Sequence, residues 1–155
     1  MKTSIPRLIL HPRDYQYIPD NRVAILQQLE TVNFINQSII NSRLHLAGDD
    51  FSNLLTFLGC SPEINLSPED GDNFCSIAVS EVHENSILLG YTSTSVPRCP
   101  QCNHKIRDWK QHFHAWKKSD YHYSCSKCQT DTCVSLLKWR REAGYGYFCI
   151  TINHI

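Results

Sequence analysis

Cys99-Pro100-Gln101-Cys102 and Cys125-Ser126-Lys127-Cys128 are two Cys-x-x-Cys pairs separated by twenty-two residues. Each pair turns tightly enough for both sulfurs to reach one ion, and four thiolates surround a tetrahedral Zn²⁺ with no coordination position left open. The spacing therefore predicts one structural zinc. A catalytic zinc would keep its fourth position for water or substrate. A redox dithiol would place a single pair at a helix start after a strand, a setting that neither pair occupies. A variant in which Cys133 or a histidine displaces one thiolate stays open at this point.

Four histidines, His104, His112, His114 and His122, lie between the pairs. His112 and His114 would share one face of a strand, but no third ligand accompanies them, so all four read as surface or interface residues. Cys60, Cys75 and Cys149 lie in apolar or alternating stretches and read as small core residues.

Cations and rings interleave in and after the same span: Lys105, Arg107, Trp109, Lys110, Trp116, Lys117, Lys118, Tyr121, Tyr123, Trp139, Arg140 and Arg141. Three readings compete. A zinc-stiffened, ring-rich surface suits a protein partner. Rings that stack on bases, beside cations that neutralise phosphates, suit single-stranded DNA or RNA. In the third reading the rings pack over the metal as a small core and lysine stems cover them from outside. Enzymatic readings, thiol-redox chemistry included, rank below these. Glu81, His83 and Glu84 gather at a predicted turn without a nucleophile, and no Gly-rich phosphate loop, Gly-x-Ser-x-Gly or His-Glu-x-x-His is present.

The elements that must position these residues follow from pattern and charge. Residues 1–96 hold five Lys/Arg against eleven Asp/Glu, and residues 97–155 hold ten against four, so the neutral total conceals an acidic and a basic part. From Asp20 or Asn21 as cap, Val23, Leu26, Leu29, Val32 and Ile35 recur at helical spacing. Arg7–Leu10 and Ser42–Ala47 read as strands. Phe51, Leu54, Leu55 and Leu58, between Asp50 and Gly59, predict a second helix. Ser61 to Asn73 reads as a solvated loop. Phe74–Val82 and Ser86–Tyr91 alternate as the two arms of a hairpin turning at His83-Glu84-Asn85, and 147–155 alternates again as a last strand.

The expected fold is α+β. An acidic domain over residues 1–96, with the element order of a ferredoxin-like sandwich, is followed by a basic, β-rich domain over residues 97–155, whose last strand pairs within that domain or with the N-terminal sheet. No run reaches the roughly twenty apolar residues of a bilayer span, and the opening residues lack a signal peptide's apolar core. The expectation is a cytoplasmic protein without membrane contact.

Over roughly residues 98–130 the pairing and spacing resemble the zinc-ribbon family. That resemblance implies two zinc knuckles on β-hairpins, metal in place of a hydrophobic core, and Cys99, Cys102, Cys125 and Cys128 as the ligands. In many ribbons Gly follows the second Cys of each knuckle, where the backbone takes positive φ. Here Asn103 and Gln129 stand at those places; Asn tolerates that conformation and Gln does so poorly.

Overall fold

In the computed structural model, which describes residues 5–41, 43–59 and 62–155, Asn21 opens the longest helix, α1 (Arg22–Thr31), by accepting the Ala24 N–H at 2.9 Å. The helix stops short of Ile35 because Asn33 turns left-handed at φ 53°. The Asn33 N–H then reaches the Glu30 carbonyl and the Phe34 N–H the Leu29 carbonyl, both at 2.9 Å, the bonding of a Schellman stop. Ile35 therefore begins a strand instead of a further helical turn.

In chain order the described elements are β1 (Arg7–Leu10), α1, β2 (Ile35–Asn41), β3 (Leu44–Ala47), α2 (Phe51–Leu54), β4 (Ser76–Val79), β5 (Ile87–Leu89), α3 (Phe113–Trp116), β6 (His122–Ser124), β7 (Asp131–Cys133), β8 (Gly144–Gly146) and β9 (Ile150–Asn153). The fold is α+β, with more strand than helix. It divides into two compact units. The first holds the chain up to Leu10, Pro19–Val82 and Cys149–Ile155; the second holds His11–Ile18 and His83–Phe148. The change of composition at Pro97 falls inside the second unit.

The first unit is a five-stranded antiparallel sheet in the order β1-β9-β4-β3-β2. Leu8, Ile152, Ile77 and His45 fall in one transverse row of the register. Phe34, Ile35, Phe51, Cys75, Ile77 and Ile152 form its buried core, against which Leu26 and Leu29 of α1 pack. Three expectations are corrected here. The hairpin of Phe74–Val82 with Ser86–Tyr91 does not form: β4 pairs with β3 and β9, whereas β5 pairs with β8. The second helix ends at Leu54, and Leu58 is 89% exposed. The sheet is not ferredoxin-like, because that order needs a second crossover helix, whereas here β9 arrives between β1 and β4. Cys60 lies outside the described residues.

The second unit carries the β5–β8 ladder, the β6–β7 hairpin and a core of Leu88, Ile106, Trp109, Trp116, Val134, Leu137, Trp139, Ala143 and Tyr145. The Trp109 ring N–H donates to the Ser95 carbonyl at 2.7 Å, and the Tyr145 hydroxyl to the Trp116 carbonyl at 2.7 Å. Both are the paired polar tips that burial of such rings requires. Among the described residues no helix is long and apolar enough to cross a membrane.

Candidate metal centre

The two Cys-x-x-Cys segments fold into knuckles of the same construction. In the first, the Cys99 N–H donates to the His104 carbonyl at 3.0 Å and the Asn103 N–H returns to the Cys99 carbonyl at 3.0 Å. In the second, the Cys125 N–H donates to the Thr130 carbonyl at 3.0 Å and the Gln129 N–H to the Cys125 carbonyl at 2.9 Å. Both turns need a left-handed residue directly after the second cysteine, and Asn103 (φ 61°) and Gln129 (φ 60°) supply it. The backbone bonds of the turn outweigh the poor fit of a glutamine to that conformation. In each knuckle the first cysteine, Cys99 or Cys125, is buried and the second, Cys102 or Cys128, is half-buried.

All four sulfurs lie within 4.8 Å of one another. Across the knuckles, Cys99 Sγ is 3.8 Å from Cys128 Sγ, and Cys102 Sγ is 3.7 Å from Cys125 Sγ. A tetrahedron of sulfurs each about 2.3 Å from Zn²⁺ has edges of about 3.8 Å, so the site fits that ion. The thiols also respond to their crowding. Hydrogen bonds from Thr130, the side chain ahead of the backbone, hold Cys128 down at about 6. At Cys102 the backbone bond at His104 lowers the pKa, but burial and the neighbouring sulfurs Cys128, Cys125 and Cys99 outweigh it and push the thiol up to about 11. The neighbouring sulfurs thus oppose ionisation at Cys102, whereas Cys102 and Cys125 favour it at Cys128; all four thiolates together would need positive charge, which a divalent cation supplies.

Cys133 stands apart from this cluster. Its thiol donates to the Ser119 carbonyl at 2.6 Å and lies 3.0 Å from the Ser135 hydroxyl. Among the described residues no other His, Cys, Asp or Glu joins the four sulfurs. His104 contributes its carbonyl, His112 stacks on Trp116 with centroids 5.7 Å apart, and His122 Nδ1 lies 2.8 Å from Asp131 Oδ2.

The expected interaction face does not form as one surface. Trp109, Trp116 and Trp139 are buried, at 1%, 0% and 5% exposure, and Tyr123 is half-buried against Trp116 at 5.1 Å. A ring inside the core offers neither a hot spot nor a stacking platform, so these tryptophans are corrected from interface to core. Lys105, Arg107, Lys110, Lys117, Lys118, Tyr121, Arg140 and Arg141 are exposed. Sequence reasoning passed over the Thr130 hydroxyl, 3.3 Å from Cys128 Sγ, which has no counterpart at His104 to draw the eye. It also passed over Arg98 as a partner of Lys105 and Lys138. Their signal was present in the alternation Lys105-Ile106-Arg107 and Lys138-Trp139-Arg140.

Comparison with protein-family models, curated proteins and solved structures finds no match, so the functional reading stands on this geometry alone.

Proposed function

We propose that the chain is a non-enzymatic binding protein whose second unit is a zinc ribbon: one structural Zn²⁺ held by Cys99, Cys102, Cys125 and Cys128 stiffens a surface for a protein partner. The observation that carries this reading is the convergence of two like knuckles on four sulfurs within 4.8 Å of one another, with two pairs across the knuckles at 3.8 and 3.7 Å, the edge of a zinc–thiolate tetrahedron. Such a site has no vacant position for a substrate. Burial of the three tryptophans supports a scaffold whose rings hold the fold together, leaving a partner to meet the polar exterior. Cys75, fully buried and with its pKa raised to about 11 by that burial, has the character of an inert core thiol.

Elemental analysis of protein purified without chelator tests the metal, with one equivalent of zinc expected. For the partner, a protein retained by the zinc-loaded chain should be lost on chelation and regained on reloading with zinc. Far less than one equivalent in protein whose second unit is ordered, or binding indifferent to zinc removal, removes the proposal.

A further inference from the structure

Arg98 occupies the middle of a small antiparallel ladder, bridged to Lys105 on one side and to Lys138 on the other. Its backbone exchanges both hydrogen bonds with Lys138 at 2.9 Å, while the flanking Pro97 carbonyl and Cys99 N–H serve the strand of Lys105. Burial alternates along all three segments. Pro97, Cys99, Ile106, Leu137 and Trp139 are buried, whereas Lys105, Arg107, Lys138 and Arg140 are exposed and Arg98 is half-buried. Directly opposed residues of a ladder share a face, and like charges so placed work against folding.

The turn that follows breaks a second local rule. Arg140 (φ 53°) and Arg141 (φ 66°) are both left-handed, and the Glu142 N–H closes on the Trp139 carbonyl at 3.0 Å, the form of a type I′ turn. That turn favours Asn-Gly, and two arginines hold it only under strain. Among the described residues, none of the eleven Lys and Arg side chains in residues 11–18 and 83–148 lies within 4.0 Å of a carboxylate. Asp108, which lines a concavity with Arg98, Lys105 and Arg107, lies instead 3.7 Å from His112. Arg98 gives one guanidinium N–H to the Asn103 carbonyl at 3.3 Å; the opposed cations and the strained pair of arginines, none of them paired with a carboxylate among the described residues, are placed for an external anion.

We infer that this face, Arg98, Lys105, Arg107, Lys138 and the Arg140-Arg141 turn, docks a carboxylate-rich segment of the protein partner; it rests on the interaction-module reading above. Arginine forks match carboxylates in a two-bonded geometry. One observation favours an acidic protein over nucleic acid: the tryptophans that would stack on bases are buried.

The test uses the zinc-loaded full chain and a fluorescent peptide of alternating Glu and Gly, beside a single-stranded oligonucleotide of equal charge. The peptide is expected to bind at low salt and more weakly at high salt. Lys105→Gln with Arg107→Gln, or Arg140→Asn with Arg141→Gly, should each weaken it about tenfold or more. The second pair also installs the favoured Asn-Gly turn, so that variant should melt several degrees higher while it binds less. Absence of peptide binding, binding by either variant as tight as that of the unsubstituted chain, or tighter binding of the oligonucleotide overturns the inference. So does zinc-dependent self-association that these substitutions abolish, seen by sedimentation. A variant that keeps its zinc and still retains the captured partner overturns this inference alone, whereas partner capture indifferent to zinc overturns the module reading.

Discussion

Gln129 bears a cost that Gly would not, since a left-handed backbone crowds its Cβ against the carbonyl by about 1–2 kcal/mol. Gln129→Gly should therefore stabilise the zinc-loaded second unit by about 1 kcal/mol after glycine's extra chain entropy is charged. A higher melting midpoint and slower zinc release to a chelator would show it, and an unchanged midpoint would deny it. His45 is the opposite kind of residue, a polar side chain inside the sheet with 3% exposure and no partner for Nδ1. Burial first, and the Arg22 charge second, lower its pKa, with Glu30 acting weakly the other way. Above about pH 6.5 the imidazole is neutral in both folded and unfolded chains. Below that value the unfolded chain takes the proton first, so stability falls by up to about 1.4 kcal/mol per pH unit until the folded pKa is reached. Denaturant titrations of the first unit at about pH 7.5 and 5.5 should show this loss, and His45→Leu should flatten it.

At the scale of elements, the metal's influence should be local. The second unit has a buried apolar core of its own, contrary to the expectation that metal replaces it. The knuckles, by contrast, are short turns whose second cysteines are half-buried. Removing zinc should raise amide exchange at 99–105 and 125–131 first, while β3 and β4, which hold no ligand, stay protected. Uniform exchange of the whole second unit would show that the tryptophan core also needs the ion. The clustering of the four cysteines was legible in the sequence because cysteines at that spacing admit few other uses, and α1 because its cap and periodicity agree. Its end was not, since Asn33 resembles any polar helical residue until its backbone turns left-handed to satisfy the last carbonyls. The rings were misplaced for a related reason. Interleaved Trp and Lys describe an aromatic surface and an aromatic core with lysine stems over it equally well, and only the fold distinguishes the two.

At the scale of the molecule, the chain leaves the first unit and returns to it twice, and its last return places β9 between β1 and β4. Local pattern marked β9 as a strand, but pairings as distant in sequence as Ile77 with Ile152 and Leu8 with Ile152 leave no trace in alternation, which explains why its neighbours were not legible. Ile152 is fully buried and faces Leu8 and Ile77 in the register. A chain ended before Cys149 should lose the ordered first unit, with β1 left without its ladder partner among the described residues. Loss of dispersed sheet amide signals, recovered by adding a peptide of Cys149–Ile155, would confirm this, and a truncated chain with the signals intact would refute it.

That late strand also sets an order of assembly during translation. Domains made first usually fold first, yet here the sheet begun by β1 to β4 keeps a slot until Ile150–Asn153 have been made. The four-cysteine cluster, complete in sequence at Cys128, has the chance to form ahead of the sheet that begins at β1.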